Sequence, residues 1–336
     1  MKVKTMSTLM IKSLVCAAAL AAGSLVADPA RASPYSNIYF FGDSVSDSGN
    51  VALAIGMPTG VPQVITGNTY IPDFPYAPSG RFSNGPVWAE VFAAKYGLSA
   101  APSLAGGTDF AFAGARTGGP DVPAPTLTTQ AGMYLAGTGG SARPDALYVI
   151  AEVGNDARDA LAAIGGGADI SQTIATASAT YAAQLGGLID TLRSAGATQF
   201  LVFDNVNLGV VPAITALGSD VSALASAVTW NMNAALLDRI HGEAGVRVFD
   251  TFSFLTGVVQ SPGAFGFTNA TDACGAVAAA DCSTYVFWDG LHPTASMHEL
   301  IAASAAPAVP EPRTSLMLAL GLACIAWGRW RGQRQG

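Results

Sequence analysis

Four short, mostly apolar runs, at 38–41, 146–153, 199–204 and 246–250, end in or lead into small polar residues. Two long stretches with apolar residues at helical spacing, 170–195 and 221–242, separate the later runs. Runs this short and this apolar read as strands buried on both faces. Strands alternating with amphipathic helices indicate a parallel sheet with helices packed on each side. Shorter helices are expected at 87–95, opened by Pro86, and at 127–135 and 295–305. A further short strand is expected at 109–113, running into the turn Gly114-Ala115-Arg116-Thr117-Gly118-Gly119. The fold class is therefore α/β, with one domain and no internal repeat.

The strand ends carry the chemistry. In an open parallel sheet, ligands bind beyond the C-terminal ends of the strands. The first run ends in Gly42-Asp43-Ser44 and the second in Gly154-Asn155-Asp156. A serine on such a turn is placed to be a nucleophile once a base, an orienting acid and oxyanion donors are supplied. The chain has three histidines, His241, His292 and His298. His241 falls late in a long helical stretch and His298 within the closing helix. His292 lies in Asp289-Gly290-Leu291-His292-Pro293, where a turn can bring the carboxylate to one imidazole nitrogen and leave the other facing outward. The same segment also reads as a structural Asp-Gly turn with a surface histidine. Between the first strand and the 87–95 helix, residues 51–79 are rich in Gly, Pro and Thr and show little periodicity. Tyr70, Phe74 and Tyr76 in this stretch either pin it to the domain or line a substrate groove.

The two ends differ from the middle. Residues 1–32 have a basic start, an apolar run at 14–26 and Ala30-Arg31-Ala32 as an exit, which is the pattern of a secretory signal peptide. Residues 309–336 hold Pro310-Glu311-Pro312, an apolar run at 315–328 and an arginine-rich end. That run is short against the roughly 20 residues of a full span, and the basic end fits a cytoplasmic stop. Between them, residues 33–308 carry 8 Lys and Arg against 21 Asp and Glu, a net charge of −13. So acidic a domain repels phosphate backbones, which excludes a nucleic-acid partner. Cys274 and Cys282 are the two cysteines outside the ends, and export implies one local disulfide between them. No histidine stands at zinc-ligand spacing near them, so no metal is expected there.

Gly42-Asp43-Ser44, Gly114, Gly154-Asn155-Asp156 and Asp289-Gly290-Leu291-His292-Pro293 occur in this order along 38–305. Together they resemble the GDSL esterases and lipases of the SGNH hydrolase superfamily, as do 80–85 and 205–212. The resemblance implies a three-layer α/β/α, flavodoxin-like fold with a central parallel sheet. It implies Ser44 as nucleophile, His292 as base, Asp289 as its orienting acid, and an oxyanion hole from Ser44, Gly114 and Asn155. Relatives often carry two adjacent glycines in the second block; here Ala113 precedes Gly114, which leaves Gly114 as the donor. The G-x-S-x-G elbow of α/β-hydrolases is absent, and Asp43 is read as a brace of the turn. The implied activity is hydrolysis of lipid, aryl or acetyl esters, including O-acetylated glycans, without a cofactor. The alternatives are an acyltransferase with the same triad and a non-catalytic surface or exopolysaccharide-associated module. The tail resembles the PEP-CTERM sorting signal of Gram-negative bacteria, which implies an exosortase-type processing enzyme; a plain single-pass anchor is the alternative. The expected organisation is a signal peptide at 1–32, a hydrolase domain at 33–308 and a sorting tail at 309–336.

Overall fold

The computed structural model describes residues 33–309 apart from 279. The expected signal peptide and nearly all of the sorting tail lie outside these residues.

The elements run in chain order as β1 (Ile38–Gly42), α1 (Asn50–Ala54), α2 (Trp88–Lys95), α3 (Leu127–Gly137), β2 (Leu147–Ala151), α4 (Asn155–Gly165) and α5 (Ile170–Ser194). They continue as β3 (Gln199–Phe203), α6 (Pro212–Thr215), α7 (Ser219–Arg239), β4 (Val246–Phe249), α8 (Thr251–Gln260), β5 (Asn269–Ala273), β6 (Tyr285–Phe287) and α9 (Ala295–Ala305). The main sheet is parallel, in the order β1-β2-β3-β4. Chain around Asp109 adds to the outer edge of β1 through a parallel bridge to Phe40. It is held there by Phe110 N–H to Phe40 O at 2.8 Å and Phe112 N–H to Gly42 O at 3.1 Å. The expected strand at 109–113 is thus reduced to isolated bridges from Asp109 to Phe40 and to Pro102, and on the side away from β1 Asn50 Nδ2 donates to the Asp109 and Ala111 carbonyls. Counting that segment, the spatial order is the flavodoxin-like 2-1-3-4-5. β5 and β6 form a small separate pair.

Side-chain alternation along the strands builds the two halves of the core. Phe40 and Phe203 face one way and pack edge-on or tilted against Trp88 of α2, with centroids 5.6 and 4.3 Å apart. Tyr39, Phe41 and Tyr148 face the other way, around Tyr134 of α3. Each fully buried ring contributes about 2–3 kcal/mol through removal of apolar surface from water. Helices therefore cover both faces, which makes the three α/β/α layers.

Local capping sets the helix ends. Thr126, Asp169 and Thr294 each accept a backbone N–H from the first turn of α3, α5 and α9. α2 starts at Trp88, two residues beyond Pro86, because the Glu90 carboxylate reaches back to the Val87 N–H at 3.0 Å. Arg81 holds that carboxylate with two contacts, at 2.6 and 3.1 Å. Among the described residues, no helix is long and apolar enough to cross a membrane. Cys274 and Cys282 form a disulfide, with Cα atoms 5.6 Å apart.

Beyond β3, buried Asp204 accepts the N–H groups of Thr251 and Phe252 at the start of α8. Burial pushes its carboxyl up to about 7 from an ordinary 3.8. The folded chain then holds a proton that the unfolded chain has released. The stabilisation is complete below pH ~4 and is lost as pH rises through ~7. Urea unfolding is therefore expected to show a loss of stability from Asp204 of up to about 4 kcal/mol between pH 4 and pH 8. Asp204→Asn, which keeps the acceptor and removes the titration, should make that slope shallower, the rest belonging to other buried carboxyls such as Asp47; an unchanged slope would assign all of it to those groups.

Candidate active site

All four strands of the main sheet are parallel, so their C-terminal ends share one edge of the domain. Ser44 follows β1 by two residues and sits in a turn fixed by its neighbours. Asp43 is buried; its Oδ1 accepts the Val45 N–H at 2.9 Å and its Oδ2 accepts the Val153 N–H at 3.0 Å. One side chain thus ties the end of β1 to the end of β2. Burial pushes its carboxyl above the usual range, opposed by those two N–H bonds. Asp47 accepts the N–H groups of Gly49, Asn50 and Ala113, the last at 3.0 Å, which fixes the glycine turn beside the serine turn. Burial raises the Asp47 carboxyl to about 6.

The expected base comes from the other end of the chain. His292 Nε2 lies 2.9 Å from Ser44 Oγ, and His292 Nδ1 lies 2.8 Å from Asp289 Oδ2. Asp289 is wholly buried, and His292 and Ser44 are 3% and 8% exposed, so the relay is shielded from water while the serine can still be reached. Asp289 Oδ1 accepts the N–H groups of Leu291 and His292, both at 2.7 Å, which closes the turn that the three-residue spacing requires. Gly290 permits it: a Cβ there would stand 2.4 Å from Asn68 O and 2.7 Å from Tyr70 O. The 80–85 segment braces the histidine loop. Ser83 Oγ donates to Pro293 O at 2.8 Å, Asn84 Oδ1 accepts the Ala295 N–H at 2.7 Å, and the Phe82 ring packs 5.4 Å from the His292 ring.

The other histidines stand elsewhere. His298 is buried in α9 with Nδ1 accepting the Trp88 N–H at 3.1 Å. Burial, then the nearby His292, lowers its pKa to about 3, so it is neutral and serves packing. His241 is exposed in the turn after α7.

Of the expected oxyanion donors, Asn155 lines the same cavity as Ser44, and Gly114 follows Ala113, whose N–H Asp47 holds. Asn155 opens α4; its Nδ2 donates one hydrogen to Ala115 O at 2.9 Å, leaving the second hydrogen of the amide for a substrate oxygen. Buried Glu152 accepts the N–H groups of Gly154, Asn155 and Asp156 through one oxygen, fixing the start of α4; burial raises its carboxyl well above the usual range. Gly114 has φ +82°, a conformation that L side chains rarely adopt, which points to glycine there. Among the described residues, neither the Ser44 N–H nor the Gly114 N–H donates to a protein acceptor.

Two contributors were not evident from the sequence. Tyr76 is buried, and its hydroxyl donates to Asp289 Oδ2 at 2.8 Å, the same oxygen that His292 Nδ1 meets. Burial, then the Asp289 charge, pushes its own pKa up, so it stays a donor. Tyr76 thus pins its loop to the site, whereas Phe74 is exposed. Tyr76→Phe is expected to lower kcat about 3- to 30-fold with little change in KM, since one neutral–charged hydrogen bond orients the acid without touching substrate. Steady-state kinetics would show it; a change confined to KM would place Tyr76 in substrate binding instead. The second contributor, Arg158 of α4, shares a cavity wall with Ser44 and Asn155. The sequence marks Tyr76 as a loop aromatic but gives no sign of its contact with Asp289, and Arg158 sits in a short Ala-rich helix without a signal.

The same cavity is otherwise walled largely by apolar side chains, among them Val153, Phe203, Leu208, Leu255 and Met297. Among the described residues, no group of three or more His, Cys, Asp or Glu could hold a metal ion.

The profile of the GDSL-like lipase/acylhydrolase family matches residues 38–305. The chain belongs to this family. A GDSL esterase/lipase of Arabidopsis thaliana is 26% identical over 315 residues, covering 80% of this chain and 88% of that protein. A second from the same plant is 24% identical over 344 residues, covering 83% and 86%. Among solved structures, an extracellular lipase from Streptomyces rimosus aligns with a TM-score of 0.43 and 20% identity, over 81% of this chain and 99% of that one. As a member of the GDSL family, the chain is a carboxylic-ester hydrolase.

Proposed function

We propose that this GDSL-family chain is an exported serine esterase that works through an acyl-enzyme on lipid, aryl or acetyl esters. The observation that carries the mechanism is the chain of contacts from Ser44 Oγ to His292 Nε2 to Asp289 Oδ2. Neutral His292 takes the Ser44 proton as Oγ attacks the ester carbonyl, and the carbonyl π electrons move onto oxygen. Asp289 stabilises the imidazolium that forms. The oxyanion meets the N–H groups of Ser44 and Gly114 and the free amide hydrogen of Asn155. Collapse expels the alcohol, which takes the proton back from His292. Water, activated by the same histidine, then releases the acid and restores Ser44. The apolar cavity wall beside Ser44 favours a lipid acyl group over acetyl.

Export rests on the signal-like residues 1–32, the sorting-like tail at 309–336 and a disulfide typical of an oxidising compartment. The setting is then the periplasm, cell surface or medium of a Gram-negative-type bacterium, with an exosortase-type enzyme acting on the tail. Stopped-flow release of p-nitrophenol from p-nitrophenyl esters, acetyl to palmitoyl, tests the mechanism. A burst of one equivalent per protein is expected where deacylation is slower, and added nucleophiles should partition the acyl group. Acyl release that never becomes sensitive to added nucleophile, for any chain length, would argue against an acyl-enzyme.

A further inference from the structure

Arg158 is out of keeping with the other cations of the domain. Arg81, Arg116, Arg143, Arg193 and Arg239 all form ion pairs with carboxylates. Among the described residues, Lys95, Arg158 and Arg247 form none, and of these Lys95 and Arg247 lie on the open surface. Arg158 is half-buried in the wall of the catalytic cavity. Among the described residues its hydrogen bond is a long one, Nη1 to Asn155 Oδ1 at 3.5 Å. Asp159, Asp43 and Asp289 act on it through space, and each is already used. Both Asp159 oxygens are held by Arg116, both Asp43 oxygens by backbone N–H groups, and Asp289 by Tyr76, His292 and Leu291.

A partly desolvated guanidinium without a direct counter-charge is costly to hold. Here it stands within the site, beside Ser44 and Asn155, in a domain whose net charge of −13 would otherwise repel an anion. Its planar fork matches the oxygens of a carboxylate, sulfate or phosphate. We propose that Arg158 binds a negatively charged group carried by the substrate close to the scissile bond, so that the substrates are anionic acyl esters. The proposal rests on the ester-hydrolase reading of the same site. It makes Arg158 a specificity-determining residue: the apolar wall receives the acyl chain and the guanidinium the charge.

The test compares two esters with the same acyl group in the full-length protein, p-nitrophenyl butyrate and 3-(butyryloxy)-4-nitrobenzoic acid, the second carrying a carboxylate. The quantity read is the ratio of kcat/KM, anionic over neutral, in which effects common to both esters cancel. Arg158→Gln is expected to lower that ratio about 10- to 100-fold, the loss of one charge-assisted hydrogen-bonded contact. Arg158→Lys, which keeps the charge and loses the fork, should fall between Gln and wild type, and it carries the test if the Gln variant does not fold. An equal loss on both esters would overturn the proposal and give Arg158 a role in holding Asn155. A ratio unchanged in both variants would overturn it too. Failure of the wild type to hydrolyse either ester would instead sink the ester-hydrolase reading itself, a separate and recognisable outcome.

Discussion

Replacing Ser44 by alanine is expected to lower kcat for p-nitrophenyl esters by about 10⁴- to 10⁶-fold while the domain stays folded. The size follows from what the hydroxyl does. Its Oγ is 2.9 Å from His292 Nε2, so it is the atom the base can activate. Without it no acyl-enzyme can form, and the residual rate comes from the oxyanion donors acting on water. The turn should survive, because the turn-fixing hydrogen bonds shown here run through Asp43 and Asp47 rather than through the Ser44 side chain. Near-wild-type thermal unfolding together with lost turnover is the expected pair of results. Turnover reduced only a few-fold would mean that another group attacks the ester.

His292→Ala should cause a loss of the same order, about 10⁴-fold or more, measured on the same esters. The other two histidines give the contrast. His241 is exposed in the turn beyond α7, and His241→Ala should leave both rate and stability within error. His298 accepts the Trp88 N–H at 3.1 Å inside the core that joins α2 to α9. Its replacement by alanine should cost about 2–4 kcal/mol, through a cavity and an unpaired N–H, with the remaining folded enzyme still active. Comparable loss of turnover in all three variants would undo the choice of base.

The strands and long helices were legible because their pattern is local: apolar runs ended by small polar residues, then helical periodicity. Short α4 (Asn155–Gly165) and α8 (Thr251–Gln260) were not read from the sequence and emerge in the structure, because each spans too few turns for its period to stand out beside the strand ends that precede it. The Asp289–His292 pair was legible for the same local reason, since three residues and a glycine suffice to close the turn. Ser44 and His292 are 248 positions apart, and the sequence joined them through the family pattern rather than through any spacing. The contact of Tyr76 with Asp289 spans 213 positions from an aperiodic loop, and no pattern announced it. Of the two roles open to the loop aromatics, Tyr76 takes the pinning one, and its anchor is Asp289. Asp43 lies where a brace would lie, between β1 and β2, but its partner Val153 N–H depends on the parallel pairing of those strands. Asp204 and Arg158 owe their character to burial, which composition cannot convey.

Labelling with a fluorophosphonate, followed by peptide mass spectrometry, addresses Ser44 most directly. A phosphonyl adduct on the Ser44 peptide of the wild-type protein, absent from Ser44→Ala, is the predicted result. Equal labelling of the alanine variant, or a folded wild-type protein that takes no label, would contradict the assignment of Ser44 as the nucleophile.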